Sequence, residues 1–332
     1  MKLLKLSLKL GLLWNGLFSS FMGIAAAPIP FAALGGIEEH FKAAEGKDGF
    51  HQMKNIDFIY TINLDQRPEK FASCVQQLER YGISPYRFSA VNGWELTLEQ
   101  INQLGVEFEP GMNGGTWGTW YEEGGDKTPH HEPVQAVGRN YFCHCMSPGA
   151  IGIVLSHLSI LQDAFDSGYE TIWVMEDDIE IVRDPHLLSS LIEQLDAIAG
   201  KENWDVLFTD PDTKNREGRY VPCSAYAWRP NYTPEHPAQF AEKNAISADL
   251  RKVGARYGAY SMIVRRSGME KILSFFKKYK IFLPYDMEYT QPPGIKLYTV
   301  LSDVVSTQPM ALTDNGAPNY LKRDGNGGST DE

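Results

Sequence analysis

The chain has 332 residues, 43% hydrophobic and 22% charged, enough for one large domain or two small ones. Its formal net charge of −11 excludes a nucleic-acid ligand in the absence of a strong basic patch, because phosphates and protein would repel. The short basic run Lys277-Lys278-Tyr279-Lys280 reads instead as the last turn of a helix, complementing its dipole.

At the start of the chain, Lys2, Lys5 and Lys9 precede an uncharged stretch that runs to Ala25-Ala26-Ala27 and then Pro28. Positive charge, apolar run and small residues stand in the order of a secretory signal peptide over 1–27, or, uncleaved, of a membrane anchor. Residues 28–51 are Ala/Gly-rich and read as a linker or a weak helix. A strand follows over 57–63, and Asn63 and Arg67 lie just past it, where such folds contact base or phosphate. Arg67 has an alternative as a surface partner of Asp65 or Glu69. A helix over 68–81 turns Phe71, Val75 and Leu78 inward; a strand over 85–90 and a short helix over 98–104 come next. Residues 111–125 mix Trp117, Trp120 and Tyr121 with glycines, as in a loop that stacks on sugars or closes over a site, or one that packs on the surface. Cys143-His144-Cys145, with His130 and His131, has the residue types of a zinc site but lacks the usual gap between cysteines. With Cys74 and Cys223 the cysteines number four, and export would permit disulfides of unspecified pairing.

Ile151, Val154, Leu155, Leu158, Leu161 and Phe165 form a helical stripe, stopped at Gly168. The apolar run Thr171 to Met175 reads as a buried strand, and it ends in Glu176-Asp177-Asp178. Acids at the carboxyl end of a strand lie where open α/β sheets bind ligands. On an extended backbone Glu176 and Asp178 share a face while Asp177 points away. Two hard oxygen donors at one point suit Mn²⁺ or Mg²⁺, which in turn hold a diphosphate; a solvated acidic loop is the plain alternative. Ser156 and His157 are adjacent on the helix, about 100° apart, which argues against a Ser-His relay. A helix over 186–198, strands over 204–209 and 259–264, a helix over 268–279 and a closing strand over 296–305 complete the pattern. Strands alternating with helices imply an α/β protein with a mostly parallel central sheet.

Seven segments, in order, resemble glycosyltransferase family 25, which includes bacterial lipopolysaccharide galactosyltransferases and procollagen galactosyltransferases. They are Ile59 through Lys70, with Ile62-Asn63-Leu64-Asp65-Gln66-Arg67 at its centre, Phe88-Ser89-Ala90-Val91-Asn92-Gly93, Gly149 to His157 (G-x-x-G-x-x-x-S-H), Glu176-Asp177-Asp178, Trp204-Asp205-Val206-Leu207, Gly258-Ala259-Tyr260 through Lys271, and Leu283-Pro284-Tyr285-Asp286. Asn92 departs from the family's Asp, residues 108–146 look inserted, and the stretch 211–247 is long.

The resemblance implies a GT-A type nucleotide-sugar-binding fold over 52–310, followed by a tail over 311–332. It also implies an inverting hexosyl transfer from a nucleotide sugar, UDP-galactose in particular, to a glycan, lipid-linked glycan or protein acceptor. Glu176 and Asp178 are then the metal ligands, and Asn63, Arg67 and Asp177 the donor-binding residues. Asp286 is the candidate general base, because a carboxylate must take the acceptor proton, with Glu288 and His157 in reserve. A helix N-cap or turn aspartate is the structural alternative for Asp286. Export or anchoring implies a periplasm or an endomembrane lumen, in preference to the cytoplasmic membrane face. A glycoside hydrolase with paired carboxylates and a non-catalytic carbohydrate-binding relative are the competing classes.

Overall fold

The computed structural model describes residues 36–308 and 311–322. The signal or anchor segment, residues 28–35 of the linker, and residues 323–332 of the tail lie outside the described residues. Among the described residues no helix is long and apolar enough to cross a membrane.

Eight strands make the central sheet: β1 (Phe58–Asn63), β2 (Tyr86–Ser89), β3 (Thr171–Glu176), β4 (Val206–Phe208), β5 (Lys243–Ala245), β6 (Leu250–Val253), β7 (Ser261–Arg265) and β8 (Leu297–Val300). Their order is β5-β6-β8-β4-β7-β3-β1-β2. β1 runs parallel to β2 and β3, and β4 parallel to β8. The other four pairings, β5 with β6, β6 with β8, β7 with β4 and β7 with β3, are antiparallel. The sheet is therefore mixed, which corrects the expectation of a mostly parallel one. The chain travels from β4 to β7 through an irregular excursion and the β5–β6 hairpin rather than a helical crossover. Nothing in that route forces the parallel direction that a βαβ unit would.

Helices α1 (Pro68–Glu79), α2 (Leu98–Leu104), α3 (Pro148–Asp166), α4 (Leu187–Ala199), α5 (Arg266–Tyr279) and α6 (Tyr285–Glu288) complete the frame. Side chains alternate across a strand, so a sheet covered on both faces divides each strand between two cores. Tyr60, Ile172, Val174, Met262 and Val264 pack with Leu155, Leu158 and Met269 of α3 and α5. Ile59, Trp173, Met175 and Ile263 pack on the opposite face with Cys74, Leu78, Leu188 and Ile192 of α1 and α4. β1 and β3 are continuous apolar runs because they belong to both cores.

α3 starts where Ser147 caps it, accepting from Ala150 N at 3.1 Å, with Pro148 in its first turn. It stops at Gly168, whose φ of 75° suits a residue without Cβ. Within the glycine-aromatic stretch expected as a loop, Trp117–Trp120 is a strand of a small sheet. Trp117–Trp120 pairs with His130–Pro133 and with Asn140–Cys143, and the latter also pairs with Val106–Glu107. The described part of the linker lies against this domain: Lys42 N donates to Ser159 Oγ at 2.9 Å, and Lys47 pairs with Asp163 at 2.9 Å.

Gly93, after β2, meets Gly152, on the second turn of α3. A Cβ on Gly152 would fall 2.5 Å from both Gly93 N and Val91 O, main-chain atoms that cannot rotate aside. Gly152→Ala is expected to destabilise the fold by about 1–3 kcal/mol, the range for overpacking a close contact. The readout is a lower urea midpoint at unchanged slope; an unshifted midpoint contradicts the contact.

Candidate active site

The candidate site forms at the carboxyl ends of β1 and β3. β3 stops at Glu176, and Asp177 and Asp178 make a turn. All three acids line one cavity, with Asn63, Arg67 and Trp94 among the other residues of its wall. Asp177 thus does not face away from its neighbours, because the pleat that would have turned it outward ends one residue earlier.

Each acid has its own holder. Glu176 Oε1 lies 3.1 Å from Nε2 of buried His157, whose ring stacks on Tyr285 at 4.1 Å between centroids. Asn63 Nδ2 donates to Asp177 Oδ2 at 2.6 Å and to Arg67 O at 2.8 Å, and its Oδ1 accepts from Arg87 Nε at 2.8 Å. The Asn63 amide is thus engaged by Asp177, Arg67 and Arg87. Lys70 Nζ stands 3.6 Å from Asp177 Oδ1. Burial raises the Asp177 pKa against the pull of Lys70 and Asn63. Burial, reinforced by the charges of Glu176 and Asp177, pushes Asp178 up to about 7.

Asp178 Oδ1 is buried without a hydrogen-bond partner among the described residues. An orphaned carboxylate oxygen beside two further acids fits a divalent cation, which relieves both the desolvation and the repulsion. Asp178 and Glu176 are the ligands this arrangement favours. No group of three His, Cys, Asp or Glu among the described residues already converges as a metal site. A cation there would draw its remaining ligands from bound substrate or water.

A second cavity adjoins the first and shares Glu176 with it. Its wall includes Gly258, Tyr260, Tyr285 and Asp286. The reversed direction of β7 is the reason: Ser261 pairs with Met175, and Glu176 N donates to Tyr260 O at 2.8 Å. The approach to β7, not its end, therefore lies beside the acids. Asp286 Oδ2 accepts from Gly258 N at 3.0 Å, and burial raises its pKa.

The other expected residues are distributed differently. Glu288 lines neither cavity. It is fully buried, ion-paired with buried Arg229, and accepts from Phe282 N and Leu283 N at 3.4 and 3.3 Å. Glu288, expected as a reserve base, thus has its carboxylate engaged by Arg229 and two main-chain N–H groups. Arg67 is buried rather than a surface partner, and it pairs with Glu69 at 2.8 Å and with Asp314. Ser156 Oγ donates to Gly152 O at 2.7 Å and accepts from Val91 N at 2.8 Å, so it serves packing and not His157. Thr313, Asp314 and Asn315, from the expected tail, complete the first cavity's wall. Trp94 Nε1 donates to Asp314 O at 2.8 Å. Lys70 stands in the first family-like segment and was legible there as a charge only; Asp314 has no local signal at all.

A family model described as glycosyltransferase family 25 (LPS biosynthesis protein) matches residues 56–289. The chain belongs to glycosyltransferase family 25. It is 26% identical over 170 residues to a glycosyltransferase 25 family member of Drosophila melanogaster, covering 51% of this chain and 23% of the relative. The family member of Drosophila pseudoobscura pseudoobscura is 26% identical over 153 residues, 46% of this chain and 20% of the relative. The human inactive glycosyltransferase 25 family member 3 is 26% identical over 163 residues, 49% and 23% respectively. The chain thus spans less than a quarter of the length of these relatives. Within the family 25 span lie Glu176, Asp177, Asp178 and Asp286; Asp314 and Asn315 fall beyond it.

Glu288→Gln tests the reassignment of that residue. Removing one member of a buried ion pair leaves Arg229 charged and uncompensated, so a loss of about 3–5 kcal/mol is expected. Thermal unfolding measures it; full stability with lowered turnover would return Glu288 to the chemistry.

Proposed function

We propose that the protein is a metal-dependent, inverting glycosyltransferase of GT-A type that moves galactose from UDP-galactose to a hydroxyl on a glycan, a lipid-linked glycan or a protein. The observation that carries the reading is the junction at Glu176: an acid-lined cavity with an orphaned Asp178 oxygen opens beside a second cavity holding a buried aspartate. One cavity suits a nucleotide sugar and its neighbour suits an acceptor. Family 25 membership supports transfer as the reaction class.

Asp178 and Glu176 would hold Mn²⁺ or Mg²⁺, which supplies charge to the diphosphate leaving group. Arg67 and Lys70 add fixed positive charge to the same cavity. Asn63 fixes Asp177, and His157 fixes Glu176. Asp286 takes the acceptor proton as the hydroxyl oxygen bonds to the sugar carbon and the carbon–phosphate oxygen bond breaks. The bond from Gly258 N keeps one Asp286 oxygen occupied and fixes the carboxyl plane. Periplasmic or endomembrane-lumen location through the N-terminal segment, with membrane association if that segment stays uncleaved, is part of the proposal. An intact mass that begins near Pro28 after secretion supports cleavage.

A panel of nucleotide sugars with Mn²⁺, scored for nucleoside diphosphate release, tests the reaction class. Release with one donor, abolished by EDTA and lowered at least a hundredfold in Asp178→Asn, is expected. Sugar-bond hydrolysis without nucleotide would favour a glycoside hydrolase, and no turnover with intact sugar binding a non-catalytic relative.

Asp286→Asn is expected to lower the transfer rate by about a hundredfold or more, within the range for a general base. Donor binding should stay unchanged, the pattern of an interaction used in the transition state. A base must be ionised, and burial holds Asp286 above the ordinary aspartate range. Transfer should therefore fall as pH drops through that raised pKa, and the acid limb should vanish in the residual activity of Asp286→Asn. Lost donor binding would move Asp286 into the donor cavity.

A further inference from the structure

Two thiols stand at the end of the inserted small sheet. Cys143 is buried and is the last residue of the strand Asn140–Cys143; Cys145 is exposed in the turn that follows. Met146 N donates to Cys143 O at 3.0 Å and closes that turn. The two thiols interact electrostatically, each shifting the other's pKa. Residues two apart are at most about 7 Å apart even when extended. A turn shortens this into the roughly 4.4–6.8 Å between Cα atoms that a disulfide spans. Zinc, the other use of Cys143-His144-Cys145, has no ligand group of three among the described residues.

The pair is tied to the acceptor side of the site. Cys143 N donates to Phe282 O at 2.7 Å. Phe282 N and Leu283 N bind the Glu288 carboxylate, and Asp286 lies between these anchors on the same short segment. The Cys145 sulfur also feels the Asp286 charge.

We propose that Cys143 and Cys145 are a redox pair that closes reversibly to a disulfide behind the segment carrying Asp286. The co-reactant is a low-molecular-weight disulfide. The exposed Cys145 thiolate attacks one of its sulfurs and expels a thiolate. Cys143 then gives up its proton to solvent and attacks the Cys145 sulfur, expelling the second thiolate. Two protein thiols are oxidised, and one small disulfide is reduced to two thiols. The division of labour follows from exposure: Cys145 is open to solvent and Cys143 is buried, and the interaction between them lowers the Cys145 pKa while it and burial raise that of Cys143. Cys74 is a poor competitor, because burial pushes its thiol up to about 12. A ring closed over so few residues constrains the unfolded chain little, and strained disulfides are the easily reduced ones, so the bridge is reversible.

Peptide mapping by mass after incubation of the full chain with oxidised glutathione tests the proposal without reference to sugar transfer. Loss of two hydrogens confined to the peptide with Cys143 and Cys145, and restored by a thiol reductant, is expected. Cys143→Ser should trap one glutathione on Cys145, and Cys145→Ser should take up none. Amide hydrogen exchange over 282–288 should differ between the oxidised and reduced wild type. A folded chain that keeps both thiols, or that reacts at Cys74 or Cys223 instead, overturns the pair. A disulfide with unchanged exchange over 282–288 overturns its link to Asp286.

Discussion

Three consecutive carboxylates at the end of a buried strand repel one another, and much of the surrounding chain answers that repulsion. Asn63 donates to Asp177, Lys70 stands by it, and His157 holds Glu176. These partners come from different elements: the end of β1, the first turn of α1, and the middle of α3. None of them reaches Asp178 Oδ1, which stays buried and unsatisfied. An oxygen of this kind is satisfied when an ion or a water binds beside it. The acids thus tie together side chains from β1, α1 and α3 at the end of β3.

Sheet direction decides what stands beside the acids. Had β7 run parallel to β3, its far end would have met Glu176. Running antiparallel, it delivers Gly258, Ala259 and Tyr260 there, and Gly258 N in turn holds Asp286. Glu176 becomes the shared wall of two cavities. On the proposed function, the two substrates would lie side by side in these two cavities.

The parts of this arrangement carried by local pattern were legible in the sequence. β1 and β3 are continuous apolar runs, α3 has a clear helical stripe, and the G-x-x-G-x-x-x-S-H segment has a physical reason at each position. Gly149 lies close under the main chain of Asp314 and Asn315, and Gly152 under Gly93. Ser156 pins Val91, and His157 holds Glu176. What depended on distant partners was not legible. The orientation of Asp177 turned on where β3 ended. The burial of Arg67 turned on Asp314, which lies 247 residues away in sequence. Glu288 looks like any acid near an aspartate until Arg229 is seen against it. The small sheet of the insertion was masked by its glycines, which mimic a loop, and the direction of β7 is not written in its own residues.

The central claim is that these acids, Asp178 above all, hold a divalent cation together with a nucleoside diphosphate. Electron paramagnetic resonance of Mn²⁺ titrated with the protein, alone and with UDP, reads this directly. The account predicts weak binding of the ion alone, tight stoichiometric binding once UDP is present, and loss of that gain in folded Asp178→Asn. Mn²⁺ that stays free in the presence of UDP and wild-type protein, or binds equally well to Asp178→Asn, would contradict it.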